Sequence, residues 1–422
     1  MKTQAMTALV LVSLLSCGHP PDGAPKGHEP ELGAPSPLIA LAQVSAQPAA
    51  AGTPDAPFTG GERAFGEVKD ALLHHYAGAA PAEDELFRAA VQGMLEHVDP
   101  SRSAWNKLLS PSELAAIHDD LRGEVVGIGA QIHFDDASGY TDVLSVFAGS
   151  PAEKAGVLAG DKILSVNGKL FKGKTSKDVL AEIRGKAGET VSLAELRQDR
   201  VLAISAVRGV VAYDVVEHAV FSDIGYVRVR SFNAKTRPAI DLAMDALASA
   251  AVKDLVIDLR GNPGGGFDDA IASAQAWLPN GAPIVRLLKT GEPEDVRTST
   301  GTPKLGTLPM AVLVDGETAS GGEFVAEALR EGRHAQILGT HTFGKWSVQT
   351  IDELPNGYAV KYTISELRSG AGAKLDGVGV APDVEVDADS SVKARAMVET
   401  DPTKRLAADV QLRTAVTLLR GR

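Results

Sequence analysis

The chain reads as a multidomain protein of α+β and α/β character. Three features of its 422 residues predict this: a helical lead, a compact stretch of short strands and tight turns, and a long region where apolar strands alternate with helices. A composition of 44% hydrophobic and 23% charged residues is that of a folded chain, long enough for about three domains. The formal charge is −12 and Lys and Arg do not cluster, which argues against a nucleic-acid partner.

The first residues carry their own signal. After Met1 and Lys2, the run Ala8 to Leu15 (ALVLVSLL) is too short to span a bilayer but suits the core of a signal peptide. It ends in Leu14-Leu15-Ser16-Cys17, which resembles the bacterial lipobox. Residues 1–17 are therefore expected to be a lipoprotein signal. Cys17, the only cysteine, would be lipidated and would hold the protein in the cell envelope, facing the periplasm. Residues 18–60, rich in Pro, Ala and Gly, read as a flexible tether.

Helical spacing follows over Glu62 to Tyr76 (Phe65, Val68, Leu72) and Asp84 to Val98 (Leu86, Val91, Met94, Leu95). Ser110, Pro111 and Glu113 form the start signal of a third helix, to Leu121: an N-cap, a proline at the first helical position and a capping-box glutamate. Together these make a helical segment over residues 61–122.

Residues 123–208 change to short strands and turns. Ser150-Pro151-Ala152, Ala155-Gly156, Gly160-Asp161-Lys162-Ile163 and Val166-Asn167-Gly168 place each glycine where a tight turn joins two apolar segments. This unit resembles a PDZ domain. The resemblance puts Gly127, Ile128, Gly129 and Ala130 in the loop whose backbone N–H groups hold a peptide C-terminus while the peptide adds a strand to the sheet edge.

From residue 209 to 388 strands and helices alternate, as in a curved mixed sheet with helices packed on it. Residues 389–422 read as a tail of one or two helices. The chemistry sits in this region. An apolar strand, Met310 to Val314, runs into a small-residue turn and then a helical pattern from Glu323 to Glu331, so Ser320 stands at a helix N-terminus. Unpaired N–H groups there favour a developing anion. Lys345 lies downstream in a glycine-bearing loop.

A serine hydroxyl needs a base to become a nucleophile. For lysine to act as one near neutrality its pKa must fall by about 3 units from about 10.4, roughly 4 kcal/mol, mostly through desolvation. Phe343, Trp346 and Val348 are placed to shield Lys345, and Gln349 offers an amide to hold its amine. The loop Asn262-Pro263-Gly264-Gly265-Gly266, after the strand Leu255 to Leu259, can turn N–H groups into a cleft, with Gly321 as a further oxyanion donor. Each piece alone has a plainer reading as a turn, a solvated lysine or an N-cap. Their order and company favour a hydrolase.

The set as a whole, from His97-Val98-Asp99-Pro100 through DLRGNPGG, TASGGE and TFGK to DGVGVAPDVEV (Asp376 to Val386), resembles the carboxyl-terminal processing proteases, PDZ-containing Ser/Lys peptidases. The resemblance implies a crotonase-like or Clp-like core with the PDZ domain inserted after the N-terminal helices. It implies Ser320 as nucleophile, Lys345 as general base, Gln349 as its orienting residue, and no metal or organic cofactor. It further implies polypeptide substrates with accessible C-termini and a substrate-sensing role for Arg184. An adaptor lipoprotein and a homo-oligomeric state stay open. Two positions depart from the family: Trp346 stands where glycine is usual and Gly321 where alanine is common. Trp346 would narrow the cleft, dry the base or block the site. If it blocks the site, the protein is a lipid-anchored PDZ adaptor instead. A Ser/His hydrolase using His341 is the remaining alternative.

Overall fold

The computed structural model describes residues 60–421 except 80, 103, 136–137, 172–173, 212 and 307. The expected signal segment, Cys17 and the expected tether up to residue 59 lie outside the described residues. The chain divides into two compact units at Asp99/Pro100. The smaller contains the helices Gly61–His75 and Glu83–Val98, each within one residue of expectation. They meet through Phe65 and Phe87, 5.8 Å apart, and through Lys69, which reaches Glu83 at 2.6 Å. Neither helix contains a buried residue.

The third helix, Pro111–Arg122, belongs with the larger unit instead. Its start is the expected capping box, Ser110 N–H donating to Glu113 Oε2 at 2.8 Å, and Gly123 closes it at φ 69°.

Within the larger unit the PDZ-like insertion enters and leaves at one point, where Val125–Gly127 pairs with Gly209–Val211. Its strands lie in the order Ala130–Asp135, Tyr140–Val146, Lys162–Val166, Thr190–Arg197 and Arg200–Val207, all antiparallel. Alternation buries Ile132, Phe134, Val191 and Leu193 against Val179 and Ile183 of the helix Ser176–Ile183.

The same alternation turns Glu195 inward, wholly buried, beside the Asp161 carboxylate, which Arg197 holds with two hydrogen bonds of 2.6 and 2.7 Å. Desolvation, and then the Asp161 charge, push Glu195 up to about 7. The folded state keeps a proton that the unfolded chain releases near its ordinary value, so stability falls as pH rises through that window. Glu195→Gln is therefore expected to gain stability relative to wild type between about pH 5 and 8, by about 3 kcal/mol at most. Melting of both proteins across this range is the check, and a constant difference would count against a proton held on Glu195.

The core is built on a six-stranded sheet ordered Val216–Phe221, Ile224–Val229, Asp254–Asp258, Met310–Val314, Gln336–Gly339 and Val384–Glu385. Only the first pair is antiparallel. The central strands are apolar throughout because both faces are covered. Val227, Leu255, Ile257 and Val312 pack on one side with Met244, Phe324 and Leu329 from helices Thr236–Ser249 and Gly321–Arg333. Val256, Ala311 and Leu313 pack on the other with Leu412 and Val416 of helix Val410–Arg420.

The expected single curved sheet is in fact two. Ser347–Glu353 and Ala359–Ser369 form a hairpin in a separate antiparallel sheet with Lys107–Leu109, Pro283–Leu288 and Asp295–Thr298. The tail is three helices, Ser390–Val398, Pro402–Ala408 and Val410–Arg420.

The tail is tied to the loops after the central strands by buried charge. Arg260, fully enclosed, bonds Asp258 at 2.6 Å and Asp409 at 2.7 Å. Burial opposes the charge on Asp258, but Arg260 wins and holds that carboxyl below its usual range. Lys393 reaches Asp315 at 2.7 Å, and Asp315 in turn accepts the N–H groups of Gly261 and Thr318. These pairs fix the turns on which the candidate site is mounted.

Candidate active site

Ser320 ends the turn after strand Met310–Val314 and precedes helix Gly321–Arg333. Its backbone, at φ 52° and ψ −113°, is strained for a residue with a Cβ. The surroundings hold it there: Ala319 N–H donates to Asn262 O at 2.9 Å and Thr318 Oγ1 to Leu259 O at 2.8 Å. The Ser320 N–H donates to Glu323 Oε2 at 2.8 Å, and the hydroxyl does not cap the helix.

Glu323 is the hub of the site. Its buried carboxylate accepts four donors: Ser320 N–H, Lys345 N–H at 2.8 Å, Gly344 N–H at 2.7 Å and Thr342 Oγ1 at 2.6 Å. Burial pushes this carboxyl up, and the hydrogen bonds pull against it. One side chain thus ties the backbone of Ser320 to the backbone of Lys345. Sequence reasoning placed no role on Glu323, although its position three residues after Ser320 is capping-box spacing.

The glycine loop packs backbone against backbone. A Cβ on Gly264 (φ 98°) would come within 2.9 Å of Gly321 N, and one on Gly265 (φ 140°) within 1.9 Å of Phe232 O. Of the three glycines expected to supply oxyanion donors, Gly264 is excluded, because its N–H already donates to Asn262 Oδ1 at 2.8 Å. Among the described residues neither Gly265 nor Gly321 N–H meets an acceptor.

Ser320, Gly321, Gly265, Lys345 and Gln349 line one cavity of about 290 Å³, walled by apolar side chains including Phe267, Phe324, Val348 and Leu367. Gln349 is fixed by its amide nitrogen, which donates to Ser347 Oγ at 2.9 Å and Thr363 Oγ1 at 3.3 Å. That leaves Oε1 as its acceptor. The expected shielding of Lys345 is partly corrected. Val348 lines the cavity, but Phe343 is 41% exposed and Trp346 is fully buried in the core, with Ala326 and Leu367. The indole neither narrows the cleft nor blocks it. His341 is exposed and does not line the cavity.

In the PDZ-like unit, Ile128 and Ala130 are buried and Gly129, at φ 79°, has no room for a Cβ against Ser150. Gly127 ends the neck strand and Ala130 opens the edge strand of the sheet, so the loop sits where an added strand would begin. Arg184 follows helix Ser176–Ile183, with Nε and Nη2 buried and without a partner among the described residues. It does not line the Ser320 cavity.

A strained serine, a lysine and two unclaimed N–H donors around one apolar cavity describe the machinery of a serine-type peptidase. Comparison with known proteins agrees with that class. Residues 223–386 match the model of peptidase family S41 and residues 143–197 that of the PDZ domain. A carboxy-terminal-processing protease of Bartonella bacilliformis is 34% identical over 333 residues, covering 76% of this chain and 74% of that one. The carboxy-terminal processing protease CtpA of Bacillus subtilis is 32% identical over 308 residues, 72% of this chain and 65% of its own. The solved photosystem II D1 C-terminal processing protease is similar at 26% identity and a TM-score of 0.54, over 84% of this chain and 99% of that one. The chain belongs to peptidase family S41, in its PDZ-bearing carboxy-terminal processing branch.

Proposed function

We propose that the protein is a serine endopeptidase that cuts polypeptides near their C-termini with a Ser320/Lys345 dyad. Ser320 Oγ attacks the scissile carbonyl carbon as its proton passes to Lys345 Nζ. The carbonyl oxygen becomes an anion held by the Gly265 and Gly321 N–H groups. When the C–N bond breaks, the lysine returns the proton to the leaving amine, and water later releases the acyl group by the same route. Gln349 Oε1 accepts from the lysine amine and keeps it in line.

The observation that carries this reading is that one buried carboxylate, Glu323, binds the backbones of both Ser320 and Lys345 at the edge of one cavity. The PDZ unit supplies the substrate, its Gly127 to Ala130 loop taking the chain end as an added strand. Arg184, which follows helix Ser176–Ile183 of that unit, would report the bound end to the catalytic core. Cys17, lipidated, would keep the enzyme in the envelope facing periplasmic substrates, whether they arrive alone or through an adaptor lipoprotein. Trp346, the one residue favouring an inactive adaptor, lies in the core away from the cavity.

The test is incubation with an unstructured polypeptide. Wild type should cleave it, whereas Ser320→Ala should bind peptides with apolar C-termini as well as wild type does and cleave nothing. Absence of cleavage by wild type, with binding intact, would establish the adaptor instead.

A further inference from the structure

A lysine side chain has four rotatable bonds and loses about 2 kcal/mol of rotamer entropy when fixed. The backbone of Lys345 is held by Glu323, but that does not aim its amine. We propose that Trp105, far upstream in the chain, is the positioning residue for the catalytic base. This rests on the reading of Lys345 as that base.

The Lys345 Nζ lies 4.7 Å from the centroid of the Trp105 ring, within the range of a cation–π contact. The indole is held in turn by the edge of Phe343, with centroids 6.0 Å apart and planes at 75°. An aromatic face can fix an amine while offering neither donor nor acceptor, so it does not compete with Ser320 or Gln349 for the nitrogen. It also removes water from one side of the group. The cation–π attraction of about 0.5–2 kcal/mol acts on the charged form, so the ring holds the ammonium in place as it takes the Ser320 proton.

The residues flanking Trp105 hold the rest of the base apparatus. Arg102 bonds Glu366 at 2.9 Å and Asp376 at 3.0 Å, and the other oxygen of Asp376 accepts the N–H of Trp346, next to the lysine, at 2.9 Å. Asn106, buried, accepts both the N–H and the hydroxyl of Thr363, at 3.0 and 3.2 Å. That hydroxyl accepts the Gln349 amide. Strand Lys107–Leu109, paired with Ala359–Ser369, fixes the register of all three contacts. A single short stretch therefore positions the lysine, the loop beside it and the glutamine that orients it.

The experiment measures kcat, KM and the pH profile of full-length Trp105→Ala and Trp105→Phe on an unstructured polypeptide. Trp105→Ala should lower kcat about 10- to 100-fold, as a misplaced catalytic group does, with KM within about two-fold and the acidic limb displaced. Trp105→Phe should restore most of kcat and the limb. If the alanine variant fails to fold, Trp105→Leu, which fills space without a π face, carries the same expectation. A wild-type kcat and limb, a loss confined to KM, or a phenylalanine variant no better than alanine would overturn the proposal. Turnover that survives Lys345→Ala would instead overturn the dyad itself, whatever Trp105 does.

Discussion

Lys345→Ala is expected to lower kcat by at least about 10³-fold while leaving KM nearly unchanged. The amine acts only when the Ser320 proton moves, so its loss removes an interaction of the transition state and not of substrate binding. The apolar cavity and the Gly265 and Gly321 donors remain, which leaves a residual rate above that of water. Because the cavity wall is apolar, with Val348 and Leu367 in it, water is a poor substitute for the missing base. Single-turnover kinetics on a soluble polypeptide measure this, and a variant retaining a tenth of wild-type kcat would be incompatible with a general-base role.

Glu323→Ala is the second large effect. It strips the acceptor from four donors at once, those of Ser320, Thr342, Gly344 and Lys345. Each donor left buried and unpaired costs about 1–3 kcal/mol, so the turn before helix Gly321–Arg333 and the lysine loop should loosen together. A fall in kcat of about 10²-fold or more, with a lowered melting transition, is expected. Glu323→Gln should lie between, because one oxygen still accepts while the new NH₂ faces donors. Wild-type kcat in the alanine variant would show that the two loops hold their geometry without the carboxylate.

The parts legible in the sequence were those whose cause is local. Apolar spacing marked the two leading helices to within a residue, and the Ser110-Pro111-Glu113 signal marked the third. The apolar run Met310 to Val314 with its small-residue turn located Ser320 at a helix start, and turn glycines outlined the PDZ-like unit. What escaped depends on partners far apart in the chain. Nothing near Lys107 announces its pairing with Lys361, so one sheet was expected where there are two, and Trp105 went unnoticed. Trp346 was ambiguous because adjacent residues in a loop can face opposite ways; Lys345 lines the cavity and its neighbour enters the core. Gly264 looked like a donor because glycine permits the backbone, but the Asn262 side chain that claims its N–H is a feature of the folded loop.

The pH dependence of kcat/KM for cleavage of an unstructured polypeptide by the wild-type enzyme tests the Ser320–Lys345 claim most directly. Activity should rise with pH through an apparent pKa well below the roughly 10.4 of free lysine, and Lys345→Ala should erase that limb along with turnover. A limb that persists in Lys345→Ala and vanishes in His341→Ala would contradict the dyad.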